Sequence, residues 1–146
     1  MLNADYKEML LLLTKHDVDW MLVGAYALAF HGVPRSTGDI DVLVKCSPDN
    51  ARKIHSALIE FGAPVKAVEP EFLAVYGNML QIGVAPCRID VITHIDGLRY
   101  EDISVVTAEI DGCRMKIISR ADFIKNKRAA GRNKDLADID SLEGGS

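Results

Sequence analysis

The sequence predicts a single α+β domain, built on a short, mixed and twisted sheet with its helices packed on one side. Three observations point there. Short β-branched runs alternate with amphipathic helical stripes along the 146 residues. One of those runs opens on Asp39-Ile40-Asp41, directly after a glycine turn, an apolar helix and a loop rich in Gly and Pro. Two others, Val105–Ile110 and Cys113–Ile118, flank Asp111-Gly112, a two-residue hairpin signal.

Taken in order, residues 5–15 place Tyr6, Met9, Leu10 and Leu13 on one stripe, an amphipathic first helix. Asp17-Val18-Asp19 turns the chain into a short buried strand, Trp20–Val23. A helix over about 25–31 follows, and the Asp-x-Asp strand runs over 39–45. Ser47-Pro48-Asp49 is a helix start, with Ser47 as N-cap, Pro48 at the first helical position and Asp49 in the positive first turn. Ala51, Ile54, Ala57, Leu58 and Phe61 form its buried stripe, and Gly62 ends it.

Residues 63–78, with Pro64, Pro70 and a Gly77-Asn78 turn, show no clear period. A strand over 79–84, a turn at Ala85-Pro86 and a strand over 88–93 come next. After the hairpin, Ser119 with Asp122 three residues on makes a capping box for a helix carrying Phe123, Ile124, Lys127 and Ala130. Gly131 interrupts it, and a last helix from about Asn133 places Leu136, Ile139 and Leu142 on a core side. The domain is expected over 1–142, with 143–146 as a flexible tail.

Bulk properties narrow the function classes. Charged residues at 26% and hydrophobic ones at 49% are ordinary for a globular domain large enough for a core. No apolar run reaches membrane-spanning length, and Met1-Leu2-Asn3-Ala4-Asp5 lacks the basic start of a signal peptide, so no membrane partner is expected. Cys46, Cys87 and Cys113 are odd in number and unclustered, against a disulfide framework or zinc site and for a reducing cytoplasm. A net charge of −4 gives no global pull on nucleic acid; an RNA partner would need a local basic patch.

The chemistry concentrates in residues 23–44. Alternation puts Asp39, Asp41 and Leu43 on one strand face and Ile40, Val42 and Val44 on the other. Two carboxylates side by side repel unless a cation sits between them, and Mg²⁺ suits a few carboxylates, several waters and substrate phosphate oxygens. The Gly24 turn offers backbone N–H groups at a helix start, a cradle for phosphate. In Arg88-Ile89-Asp90-Val91-Ile92, Asp90 faces away from Ile89 and Val91, and an acid among β-branched residues must face water, a metal or a salt bridge such as Arg88. Arg35, Thr37 and His31 lie in the loop that passes near this site. Arg35 could meet a phosphate bidentately or form a structural salt bridge, whereas His31 reads as a packed, hydrogen-bonded helix end. Residues 125–138 are locally basic, which is most often a solvated face.

The stretch resembles the signature of the DNA polymerase β-like nucleotidyltransferases: hydrophobic-Gly-(Gly or Ser), a spacer, then Asp-x-(Asp or Glu). Gly24, Asp39 and Asp41 match it, and Ala25 departs from it. Tyr26-Ala27-Leu28-Ala29-Phe30-His31-Gly32 and Arg35-Ser36-Thr37-Gly38-Asp39-Ile40-Asp41 further resemble small proteins related to the AbiEii-type toxins of bacterial toxin–antitoxin systems. The resemblance implies the polymerase β-like fold and Mg²⁺-dependent transfer of a nucleoside monophosphate from an NTP, ATP foremost, to a hydroxyl. It implies that Asp39, Asp41 and Asp90 are the catalytic acids holding two ions, with Asp90 as general base. Gly24, Ala25, Lys127, Arg35 and Thr37 are then the nucleotide-binding residues, and Asp135 and Asp138 orient basic groups around the cleft. The acceptor is left open among a protein side chain, a tRNA end and a small molecule, and a cognate toxin or antitoxin is a further candidate partner. Ala25 can offer only its backbone N–H where Ser would add a hydroxyl, which keeps open a non-catalytic nucleotide-binding or antitoxin-like module.

Overall fold

The computed structural model describes residues 2–33, 38–84 and 87–144. Helix α1 (Ala4–Lys15) starts where the Asn3 side chain accepts the Tyr6 N–H at 2.8 Å, and it buries the stripe Tyr6, Met9, Leu10 and Leu13 together with Leu12. Strand β1 (Trp20–Val23) is buried at every position and runs straight into α2 (Gly24–Phe30). Strand β2 (Ile40–Val44) is buried everywhere except at Asp41. Helix α3 (Pro48–Phe61) carries the expected caps: Ser47 accepts the Asn50 N–H, and Gly62 closes the helix in the left-handed region at φ +93°. Then come β3 (Met79–Ile82), β4 (Ile89–Ile92), β5 (Val105–Ile110), β6 (Cys113–Ile118), α4 (Arg120–Ala130) and α5 (Asn133–Glu143).

The strands form one mixed six-stranded sheet in the order β3-β4-β2-β1-β6-β5. β2 lies antiparallel to β1 and parallel to β4, while β6 lies parallel to β1 and pairs with β5 as the Asp111-Gly112 hairpin. The apolar β1 and β2 take the centre, and β3 and β5, which expose Met79, Gln81, Val106 and Glu109, take the edges. Register between the central strands is clamped by buried Asn50, which accepts the Asp19 N–H at 2.8 Å and donates to the Asp19 and Lys45 carbonyls at 3.1 and 2.9 Å. That clamp ties the start of β1 to the end of β2, and so fixes which β1 residue stands beside Asp41.

Several expectations shift. β2 begins at Ile40, leaving Asp39 just ahead of the strand. β3 stops at Ile82 because Gly83 turns into positive φ (+85°), and Val84, expected in the strand, is 80% exposed. The turn expected at Ala85-Pro86 lies outside the described residues. Leu136, expected on the core side, is 45% exposed; the inward stripe of α5 is Asp135, Asp138, Ile139 and Leu142. α5 also runs to Glu143, one residue into the expected tail. The unread stretch 63–78 is irregular, with a 3₁₀ turn at Phe72–Ala74 that buries Leu73, and the His55 ring lies 3.2 and 3.1 Å from the Val65 and Val68 carbonyls.

Candidate active site

Asp41 pairs in register with Asp90 on one side and Val23 on the other. Directly opposed residues of neighbouring strands project from the same sheet face, so the two carboxyls meet. Asp39 joins them through Arg88. The guanidinium Nη2 donates to Asp39 Oδ2 at 2.9 Å and to Asp90 Oδ2 at 3.2 Å, and Nε donates to Asp90 Oδ1 at 3.0 Å. Arg88 thus links Asp39 to the Asp41–Asp90 pair near the start of β2 and β4.

Crowding leaves a mark on Asp41. Its carboxyl is pushed up from 3.8 to about 6, first by burial, then by the charge of Asp90, by a hydrogen bond that protonated Asp41 donates to Asp90, and by the charge of Asp39. Lys127 pulls the other way. Such a pair is short of positive charge. Mg²⁺ commonly takes one or two carboxylates and completes its shell with waters and substrate phosphate, and the Asp41–Asp90 pair fits that donor set. Among the described residues no three His, Cys, Asp or Glu side chains are gathered to hold an ion unaided, so phosphate would have to complete the shell.

Gly24 lies against Asp41. Its φ is +69°, and a Cβ placed there would overlap Asp41 Oδ2. The glycine is therefore required twice, by the backbone turn and by the acid resting on it. Ala25 follows in the first turn of α2. His31 Nε2 lies 2.7 Å from the Ile118 carbonyl and donates to it, the structural role its position suggested. Arg35 and Thr37 lie outside the described residues.

Across a cleft of about 240 Å³ stand Lys127 and Arg132, facing Gly24 and Asp41, with Ile92 and His94 also lining it. Both cations are aimed by Asp135, which is fully buried. Lys127 Nζ sits 3.4 Å from Asp135 Oδ1, and Arg132 donates to Asp135 Oδ2 through Nε at 2.6 Å and through its backbone N–H at 3.2 Å. These contacts, the Arg132 hydrogen bond foremost, hold the Asp135 carboxyl below the usual range. The Lys127 ammonium also lies 5.3 Å from the centre of the Phe123 ring. Asp135→Asn should therefore lower affinity for a triphosphate by about tenfold, the scale for losing a partner that orients a binding group. It should also lower the melting temperature. A calorimetric titration with tripolyphosphate checks the first effect, and equal affinity in both proteins would show that Asp135 aims neither cation.

Two parts of the site escaped sequence reasoning. Arg88 was visible only as a local salt-bridge partner of Asp90; it stands just ahead of β4, which begins at Ile89 rather than at the expected residue 88. His94, Asp96 and Asn126 line the cleft with no motif to announce them; Asn126 donates to the Asp96 carbonyl at 2.9 Å and ties the segment after β4 to α4.

No protein-family model matches the chain, and no curated protein matches it in sequence. Solved structures do match in three dimensions. A nucleotidyltransferase candidate from Thermotoga maritima superposes with a TM-score of 0.66 at 14% identity, over 100% of this chain and 97% of the other. The lincosamide antibiotic adenylyltransferase LnuA, in its lincomycin-bound structure, gives 0.63 at 12% identity, over 100% of this chain and 99% of its own. An antigenic nucleotidyltransferase-like protein from Paracoccidioides brasiliensis gives 0.55 at 15% identity, over 99% of this chain and 78% of its own. Likeness at these identities is likeness of architecture. The chain has the nucleotidyltransferase fold.

Proposed function

We propose that the protein is a nucleotidyltransferase of the polymerase β-like kind, moving a nucleoside monophosphate from an NTP, ATP foremost, to a hydroxyl and releasing pyrophosphate. One observation carries this reading: Asp41 and Asp90 stand in register on adjacent parallel strands, above the Gly24 turn and across a cleft from Lys127. Phosphate oxygens would lie between the Gly24 and Ala25 N–H groups and the Lys127 and Arg132 cations, which neutralise their charge. Arg35 and Thr37, which precede Asp39 in the sequence, are candidates for further phosphate contacts.

Asp39, Asp41 and Asp90 are the residues that would hold Mg²⁺, two ions when nucleotide is bound, and the metal would supply charge neutralisation at the reacting phosphate. Asp90 takes the proton from the acceptor hydroxyl as the new P–O bond forms, and the bond to pyrophosphate breaks in line with it.

The acceptor is a protein side chain, a tRNA end or a small molecule. The fold shared with LnuA, an adenylyltransferase of lincosamide antibiotics, supports the small-molecule case. A cognate toxin or antitoxin partner in the cytoplasm is part of the same reading; among the described residues no helix is long and apolar enough to cross a membrane. Incubation with α-labelled NTPs, Mg²⁺ and, separately, total RNA, cell protein and a panel of hydroxylated antibiotics should transfer label to one of them. If no fraction is labelled and no pyrophosphate appears, the enzyme reading fails.

A second reading, a non-catalytic nucleotide-binding or antitoxin-like module, draws on Arg88, which already occupies Asp39 and Asp90, and on Ala25, which has no hydroxyl. Nucleotide binding without turnover on any acceptor would favour it.

A further inference from the structure

We propose that Arg88 is the resident cation of the acid cluster: it neutralises Asp39 and Asp90 while no divalent ion is bound, and releases them when the ion arrives. The inference rests on the reading of these acids as metal-holding groups. Both oxygens of Asp90 accept from the guanidinium, and Asp39 Oδ2 accepts from the same Nη2. Asp39 and Asp90 are two of the residues that would hold the ion. The planar fork matches a carboxylate bidentately, so it competes with a metal far better than a point charge would.

The residue is built as a pivot. Its carbonyl accepts the Ile40 N–H at 3.0 Å and the Tyr6 hydroxyl at 3.2 Å, so the backbone is fixed from both β2 and α1. Its side chain, by contrast, is 33% exposed, so the guanidinium can leave for water without disturbing the core. Arg88 therefore makes metal binding a displacement.

The test uses Mn²⁺ titrations in the absence of nucleotide, followed by calorimetry, on the wild type, Arg88→Met and Arg88→Lys, with folding checked by circular dichroism. Arg88→Met should bind Mn²⁺ roughly tenfold more tightly than the wild type, the scale of one lost charge-assisted pair. Arg88→Lys, which keeps the charge and loses the fork, should fall between them. In the wild type, the Arg88 Nε–H resonance should lose its protection from solvent exchange as Mg²⁺ and a non-hydrolysable NTP saturate the site; this measurement decides the matter if Arg88→Met does not fold. Mn²⁺ affinity equal in all three proteins, or an Arg88 resonance unmoved at saturation, overturns the displacement role and leaves the proposed function standing. Absence of Mn²⁺ binding to every protein overturns both.

Discussion

Asp41→Asn should abolish Mg²⁺-dependent transfer, by roughly a thousandfold or more, yet leave the metal-free protein more stable than the wild type at neutral pH. The two effects have one cause. Asp41 has a folded pKa of about 6 against 3.8 when unconstrained, so the fold prefers the protonated acid. Between those values the native state binds more protons than the unfolded one, and stability falls as pH rises through that window. Above about pH 6 the whole penalty is in place, at most about 3 kcal/mol for a shift of this size. Asparagine removes the charge at nearly constant shape but also gives up the attraction of Lys127, so a gain of about 1–2 kcal/mol is expected, or roughly 3–6 °C in Tm. Mg²⁺ should raise the wild-type Tm by mass action and the variant's much less. Melts of both proteins from pH 4 to pH 8, with and without Mg²⁺, measure all of this. A variant less stable than the wild type at pH 7, with neither protein sensitive to Mg²⁺, would mean that Asp41 is an ordinary structural acid.

What the sequence made legible is local. Ser47-Pro48 and Asp111-Gly112 encode a cap and a turn within four residues, and both stand where expected. At Ser119 only half of the expected capping box forms: its hydroxyl accepts the Asp122 N–H, while the Asp122 carboxylate accepts from Ser104 instead. The acids were legible for a similar reason, since a charged residue inside a β-branched strand is anomalous on its own. The order of strands was not. β4 lies beside β2, and β6 lies beside β1, pairings between segments far apart in sequence. Arg88 as a bridge depended on that order, because it reaches Asp39, 49 residues away, only once β2 and β4 lie parallel.

Leu136 shows a different limit. Helical spacing allowed either Leu136 or Asp135 to face inward, and apolarity favoured the leucine. The acid won because Lys127 and Arg132 converge on it from α4 and the turn after it, which turns a buried charge from a penalty into an anchor. Residues 63–78 stayed unreadable because their order comes from single contacts, such as His55 with the Val65 and Val68 carbonyls, rather than from any repeat.

Gly24→Ala should damage nucleotide binding and folding together, and most of the folding cost should depend on Asp41. Two strains meet at this position. The backbone sits at φ +69°, where a residue with a Cβ is disfavoured by roughly 1–2 kcal/mol, and the new Cβ would overlap Asp41 Oδ2. Shortening Asp41 to Ala relieves the overlap with Oδ2 and leaves only a tight contact with the remaining Cβ at 3.0 Å, so most of the second strain goes while the first stays. In a double-mutant cycle, Gly24→Ala should destabilise the wild type by about 3 kcal/mol and an Asp41→Ala background by only about 1 kcal/mol, a coupling that close neighbours can show. Gly24→Val, with a branched side chain, should be worse in both backgrounds. Because the displaced carboxyl is the one paired with Asp90, Gly24→Ala should also lose most of the stabilisation that Mg²⁺ gives the wild type, and its affinity for NTP should fall with it. Urea unfolding of the four proteins, with calorimetric titrations of NTP and Mg²⁺, measures each leg of the cycle. Equal costs in the two backgrounds would show that Asp41 does not rest on the Gly24 turn, and unchanged NTP affinity would remove the turn from the phosphate site.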